Sequence, residues 1–336
     1  MSIYVDGGPD GKTPIQCWII FPSTFNVSTP ERHPLFFNIH GGPQLAALDA
    51  WSTRWNSLLF AEQGYIVAVP NFTGSDSFGE DFVKAIDEQW GGYPYRDLER
   101  CFEWIEARLT KKCDTSRAVA AGASYGGYMA NWIAGQPLGK KFKAIVSHDG
   151  ILDIRDLIGD DVSTENEVAT MFGSRLWDPS ESKTNKSDAI EEIKESWRRF
   201  NPIEYVHNWT TPMLFIHSDK DFRCPITSAW AGYRICKMKG IKTRILNFPD
   251  ENHFVLNPEN SIKWLNVIIG WCNEAVGIKD GIKLEPITSE PKWLGETKEG
   301  RIVDGQVLGP KTMTAENRAA AIMQLVRSNI GDYRDS

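Results

Sequence analysis

The sequence predicts an α/β fold, a doubly wound and mostly parallel sheet. Three observations carry this. Residues 34–40 and 65–71 are apolar runs, the pattern of strands buried on both faces of a parallel sheet. Strand-like runs alternate with stretches of helical spacing through most of the chain, the order that builds crossover connections. Residues 118–129 begin as an apolar strand, break on small residues and resume as a helix.

In chain order, a Gly-rich turn over 6–12 leads into a strand over 13–22, and the second strand, 34–40, runs into His40-Gly41-Gly42-Pro43-Gln44. Residues 47–63 carry apolar side chains at helical spacing and stop before Gly64, predicting a helix. A strand over 65–71 follows, then helices over 78–90 and 95–109, a strand over 117–122, a helix from about 128 to 135 and a strand over 142–147. Residues 151–200 break the rhythm. They are rich in Asp, Glu and Ser and predict two helices, 164–172 and 188–200, as a cap-like excursion over the sheet. The alternation then resumes with a strand over 212–217, a helix over 227–239, a strand over 243–248 and a helix over 260–275. Beyond 277 periodicity fades. Ala319, Ile322, Met323, Val326 and Ile330 fall on one side of a helix expected over 315–330, packed on the domain surface. One domain over 1–276, with 277–336 as a C-terminal extension, accounts for the whole.

Composition narrows the function. Of 336 residues, 41% are hydrophobic and 24% charged, as in ordinary globular proteins. A formal net charge of −7 argues against a polyanion binder, so no nucleic-acid partner is expected. No apolar run reaches the ~18 residues of a membrane span. Cys17, Cys101, Cys113, Cys224, Cys236 and Cys272 lack C-x-x-C spacing, which disfavours a zinc or redox site and fits buried thiols. The N-terminus has neither the basic nor the apolar segment of a secretory signal, so the cytoplasm is the expected compartment. Sequons at Asn26, Asn71, Asn185 and Asn208 leave secretion open.

Gly122-Ala123-Ser124-Tyr125-Gly126 is a nucleophile-elbow pattern, G-x-S-x-G, between a strand and a helix. The turn is too sharp for bulky neighbours, and the helix N-terminus behind it favours developing negative charge. This points to an α/β-hydrolase fold. A serine hydroxyl needs a base, and the base an orienting acid, in the chain order serine, acid, histidine. Among His33, His40, His148, His207, His217 and His253, only His253 follows a late strand in a loop ahead of a helix. The acid belongs just past the 212–217 strand, where Asp219 and Asp221 both qualify by spacing. Oxyanion donors would come from the Tyr125 N–H and the glycines after the 34–40 strand.

Taken as an ordered set, these pieces resemble the catalytic domain of the prolyl oligopeptidase family of serine peptidases, closest to its fungal dipeptidyl peptidase V and acylaminoacyl peptidase branch. The resemblance rests on His40-Gly41-Gly42-Pro43-Gln44, on Asn71-Phe72-Thr73-Gly74-Ser75 with Phe78-Gly79, on Trp90-Gly91-Gly92 and on the run from Gly122 to Met129. It continues through Asn201-Pro202-Ile203-Glu204-Tyr205-Val206, Asp221-Phe222-Arg223 and the stretch from Phe248 to His253, covering about 13–273. It implies a triad of Ser124, Asp221 and His253, an oxyanion hole of Tyr125 and Gly42, and Arg223 near the substrate.

The expected activity is cleavage of peptide or acyl-amide bonds through an acyl-enzyme, with no metal or organic cofactor. The substrate would be a small peptide or acyl compound; self-association is left open. Relatives carry a β-propeller ahead of this domain. Here about a dozen residues precede the first expected strand, so an exopeptidase without its propeller, with an open site, is one expectation. The alternative is an esterase, transacylase or cyclase acting on a small natural product. Ser218 and Cys224 stand where relatives usually have glycine and valine.

Overall fold

The computed structural model describes residues 1–159, 165–178, 180 and 188–284. The helix expected over 315–330, most of the C-terminal extension and the start of the helix expected at 164 lie outside them.

Eight strands form one sheet: β1 (Ser2–Gly7), β2 (Thr13–Ile20), β3 (His33–Ile39), β4 (Ile66–Asn71), β5 (Cys113–Ala123), β6 (Phe142–His148), β7 (Met213–Ser218) and β8 (Thr243–Phe248). Their order is β1-β2-β4-β3-β5-β6-β7-β8. β2 pairs antiparallel with β1 and β4, and every other pairing is parallel. The helices are α1 (Ser57–Ala61), α2 (Glu80–Lys84), α3 (Tyr93–Arg108), α4 (Tyr125–Ala134), α5 (Glu165–Phe172), α6 (Ala189–Arg199), α7 (Thr227–Met238) and α8 (Pro258–Val276).

The period of two in each strand splits the core. Leu35, Phe37, Phe215 and Met213 point to one face, where Leu98 of α3, Met129 of α4 and Cys236 of α7 meet them. Phe36, Leu214 and Ile216 point to the other, against Phe60 of α1 and Trp264 and Ile268 of α8. All seven residues of β3 are buried, as its apolar run demanded. α5 and α6 join the first face through Phe172, Ile193 and Trp197.

Four sequence expectations change. β1 precedes the strand expected to be first. Its burial alternates, with only Ile3, Val5 and Gly7 inside, so it carries a weak apolar signal. The helix expected over 47–63 shrinks to α1. Ala47 is held by Asn71, whose Oδ1 accepts its N–H at 2.7 Å and whose Nδ2 donates to its carbonyl at 3.0 Å, while Trp18 Nε1 donates to the same carbonyl. Asn56 then caps α1 by accepting the Leu58 N–H at 3.0 Å. The helix expected over 78–90 is reduced to α2, because Gly79 (φ 101°) and Glu88 (φ 57°) both leave helical geometry and the Glu88 N–H donates to the Thr170 carbonyl of α5. α4 begins at Tyr125, directly after Ser124, not at 128.

Candidate active site

β5 delivers Ser124 to the rim of the sheet. Its backbone sits at φ 59° and ψ −122°, outside the regions that side-chain-bearing residues favour, at a cost of about 1–3 kcal/mol. The surroundings hold it there. A methyl on Gly122 would come within 2.5 Å of the Gly126 carbonyl, and one on Gly126 within 2.2 Å of the Ile39 carbonyl. Only glycine lets the turn close at both places. The Ser124 N–H donates to the His148 carbonyl at 3.0 Å, which ties the elbow to the end of β6. Every residue of α4 is buried, so the helix behind the serine is fixed by packing. Tyr125, its first residue, has an N–H with no partner inside the helix, and its hydroxyl donates to the Trp90 carbonyl at 2.6 Å.

The loop after β3 passes against the elbow. A methyl on Gly41 would lie 3.1 Å from the Ala123 carbonyl oxygen and 3.4 Å from Ser124 Cβ. The Gly42 N–H donates to no group among the described residues. His40 orders this loop. Its ring stacks on Phe72 at 4.2 Å, Nδ1–H donates to the Gly41 carbonyl at 2.8 Å, and Nε2 lies 2.9 Å from Ser75 Oγ. Enclosure of the ring outweighs these contacts and pulls its pKa down to about 4.

That depression has a testable consequence. The unfolded chain binds a proton at His40 near pH 6.5, whereas the folded chain resists until about 4. Stability is therefore full above 6.5 and falls as pH drops through this window, by up to about 3 kcal/mol. Urea unfolding at pH 7 and 4.5 should show a loss in the parent that is smaller in His40→Asn. An equal loss in both would remove His40 as the cause.

β7 ends in the loop that carries the two candidate acids, and the structure separates them. Asp219 is exposed and accepts from Asn247 Nδ2 at 3.0 Å. Asp221 is buried. Its Oδ1 accepts the backbone N–H groups of Arg223 and Cys224 at 3.0 and 2.9 Å, and its Oδ2 lies 2.8 Å from His253 Nδ1. Burial alone would push this carboxyl up. The His253 hydrogen bond and charge, with the Cys224 N–H, outweigh it and hold Asp221 below the ordinary carboxylate value. The His253 side chain is 10% exposed against 0% for Asp221, so only an edge of the imidazole meets solvent. Its loop is organised by Glu251, whose carboxylate accepts from Leu256 N, Asn257 N and Asn260 Nδ2 at 2.8, 3.0 and 2.7 Å.

The structure thus joins Asp221 to His253 directly, while Ser124 Oγ makes no hydrogen bond to either among the described residues. Arg223 is half-buried two residues past the acid, and its guanidinium has no ion-pair partner among the described residues. A cavity of about 470 Å³ runs beside Gly41 and Ala123, lined by Trp18, Leu48, Trp51 and Trp55. A larger one, about 820 Å³, lies between α8 and residues 277–284 and touches none of the candidate site residues.

Residue-type reasoning passed over three buried neighbours. His217, at the end of β7, has Nε2 2.6 Å from the Cys224 carbonyl and 3.5 Å from Asp221 Oδ2. Asp149, just past β6, lies 3.8 Å from His253 Nδ1, and its Oδ2 is 2.9 Å from His148 Nε2. Asp149, His217 and Asp221 bring potential metal-ligand atoms within 4.8 Å of one another. A carbonyl only accepts, however, so His217 Nε2 must carry its proton toward Cys224 and has no lone pair for an ion there. These residues sit at the ends of strands that are neighbours only in the folded sheet, so chain spacing carries no signal of them.

Known proteins bear directly on this geometry. The sequence pattern of the prolyl oligopeptidase family matches residues 51–279. The chain is 44% identical over 273 residues to dipeptidyl-peptidase 5 of Aspergillus fumigatus, covering 80% of this chain and 35% of that one. It is 43% identical over 285 residues to a probable dipeptidyl-peptidase 5 of Aspergillus terreus, covering 83% and 36%. It therefore spans about a third of the length of these relatives. An acylaminoacyl peptidase solved with Z-Gly-Gly-Phe-chloromethyl ketone superposes with a TM-score of 0.66 at 25% identity, over 81% of this chain and 40% of that one. A puromycin hydrolase, at 19% identity over 83% and 39%, shares the fold with a TM-score of 0.71. No helix among the described residues is long and apolar enough to cross a membrane. With its elbow, its parallel sheet and these relatives, the chain belongs to the prolyl oligopeptidase family, whose members are serine peptidases of the α/β-hydrolase fold.

Proposed function

We propose that the chain hydrolyses peptide or acyl-amide bonds through a Ser124–His253–Asp221 triad and an acyl-enzyme. The observation that carries this reading is the 2.8 Å contact between Asp221 Oδ2 and His253 Nδ1. It fixes the tautomer with the proton on Nδ1 and leaves Nε2 basic. Ser124 Oγ attacks the carbonyl carbon and its proton passes to Nε2. The carbonyl oxygen, now negative, is held by the N–H groups of Tyr125 and Gly42, each such donor contributing about 3–4 kcal/mol at the transition state. His253 then returns its proton to the leaving amine as the C–N bond breaks. Water attacks the ester, gives a proton to Nε2, and the acid product leaves as Oγ is reprotonated. Asp221 orients the ring and stabilises the imidazolium throughout. Arg223 offers a cation to the substrate's carbonyl oxygens.

The aromatic cavity beside Gly41 and Ala123 supports an apolar acyl or side-chain group at the scissile bond. The dipeptidyl-peptidase relatives support a short peptide as the substrate. Turnover of acyl-dipeptide and free dipeptide anilides should be measured against simple p-nitrophenyl esters. Anilide hydrolysis abolished in Ser124→Ala is expected. Turnover of esters alone would replace the peptidase with an esterase or acyl transferase using the same residues.

A further inference from the structure

We propose that Asp149 is a second carboxylate acting on His253, a positioning residue that stabilises the imidazolium alongside Asp221. The inference rests on the triad reading above. Asp149 directly follows β6, at φ 49°, a left-handed conformation that asparagine and aspartate tolerate best after glycine. Its N–H donates to the Ile216 carbonyl of β7 at 2.9 Å. The backbone is thus pinned between the strand that supports the elbow and the strand that carries the acid loop.

The carboxylate is 0% exposed, and neither oxygen accepts a hydrogen bond among the described residues. His148 Nε2 is near enough, at 2.9 Å, but misaligned. Arg54 adds positive potential at Asp149 without an ion pair, its guanidinium lying over the Phe254 ring at 4.8 Å. A buried, unpartnered carboxylate is costly. Beyond His148 Nε2 at 2.9 Å, the next imidazole nitrogen that can compensate it is His253 Nδ1, 3.8 Å away. While the ring is neutral, Asp149 gains little from it. Once Nε2 takes the serine proton, Asp149 faces a full positive charge in a dry site. The interaction is therefore stronger in the transition state than in the resting enzyme, the condition for accelerating the step.

The charged and titratable groups around this ring are known. Asp221 meets it from the loop after β7, with His217 beside that carboxylate, Asp149 from the end of β6, with His148 beside it, and Arg54, in the segment before α1, acts on Asp149. Glu251, in the ring's own loop, is engaged with that loop's N–H groups and Asn260. Burial pulls His148 below the ordinary histidine pKa despite Asp149, which disfavours a competing cation beside that carboxylate.

The test needs no natural substrate. The rate at which a fluorophosphonate labels Ser124 is measured against pH in the parent and in Asp149→Asn, with folding checked by circular dichroism. Removing a negative charge makes the imidazolium harder to form, so the acid limb should move to lower pH by about 1 unit. The plateau rate should fall about tenfold. Asp149→Gly, which suits φ 49° and also deletes the charge, should shift the limb in the same direction and serves if the asparagine variant does not fold. An unshifted limb in a folded variant overturns the role of Asp149 and leaves the triad standing. A parent that is not labelled, or is labelled at another residue, removes the triad itself.

Discussion

Ser124→Ala should fold as the parent does and lose about 10⁶-fold in kcat. Little in the structure depends on the hydroxyl. Ser124 Oγ has no hydrogen-bond partner among the described residues, so its removal strands no buried polar group. The backbone strain at φ 59° is imposed by the close packing around Gly122 and Gly126, and alanine inherits it unchanged. The hydroxyl's chemistry has no substitute. Without Oγ there is no acyl-enzyme, and only the oxyanion donors and the bound geometry remain to assist water. Circular dichroism and unfolding should match the parent while anilide turnover and fluorophosphonate labelling vanish. Retention of most activity would show that another group attacks, and the assignment of Ser124 would fall.

The chain is legible where local sterics leave few choices. The elbow is an example: backbone oxygens stand 2.2–2.5 Å from where Cβ atoms would be at residues 126 and 122, so the glycines are required and their spacing is diagnostic. The buried strands were readable because central parallel strands must be apolar on both faces. The segment over 47–63 misled for the opposite reason. Its apolar residues recur at helical intervals, yet Leu48, Trp51 and Leu58 are exposed around the cavity beside the elbow, and Asn71, 24 residues away, holds Ala47. Periodicity reports which residues are apolar, not what they meet.

The same limit explains Asp149. An aspartate followed by glycine at the end of a strand reads as a turn former. Its second identity appears only when β6 and β7 lie side by side, although more than 60 residues of chain separate them, bringing the carboxylate to the imidazole from a direction that spacing does not encode. Glu251 is hidden in the same way. Its loop partners are near in sequence, but its acidity beside His253 makes it resemble a catalytic group, and only the three hydrogen bonds it accepts reveal a structural one.

Asp221→Asn should lower kcat by about 10⁴-fold, whereas Asp219→Asn should leave it within about twofold. The two acids are two residues apart and chemically alike, so their contrast isolates geometry. Asp221 Oδ1 is held by two backbone N–H groups, which leaves Oδ2 to receive the imidazole proton on Nδ1. An asparagine there keeps the size and the loop contacts but can present an amide N–H to the ring. That favours the tautomer with its proton on Nε2, the atom that must be basic, and removes the charge that balances the imidazolium. Asp219 instead meets solvent and Asn247, and its exposed charge is screened. The measurement is kcat for both variants on one anilide, with His253→Ala as the limit. Equal losses at 219 and 221 would mean that the acid loop matters only for folding, and the orienting role would pass from Asp221 to the other carboxylate at the ring, Asp149.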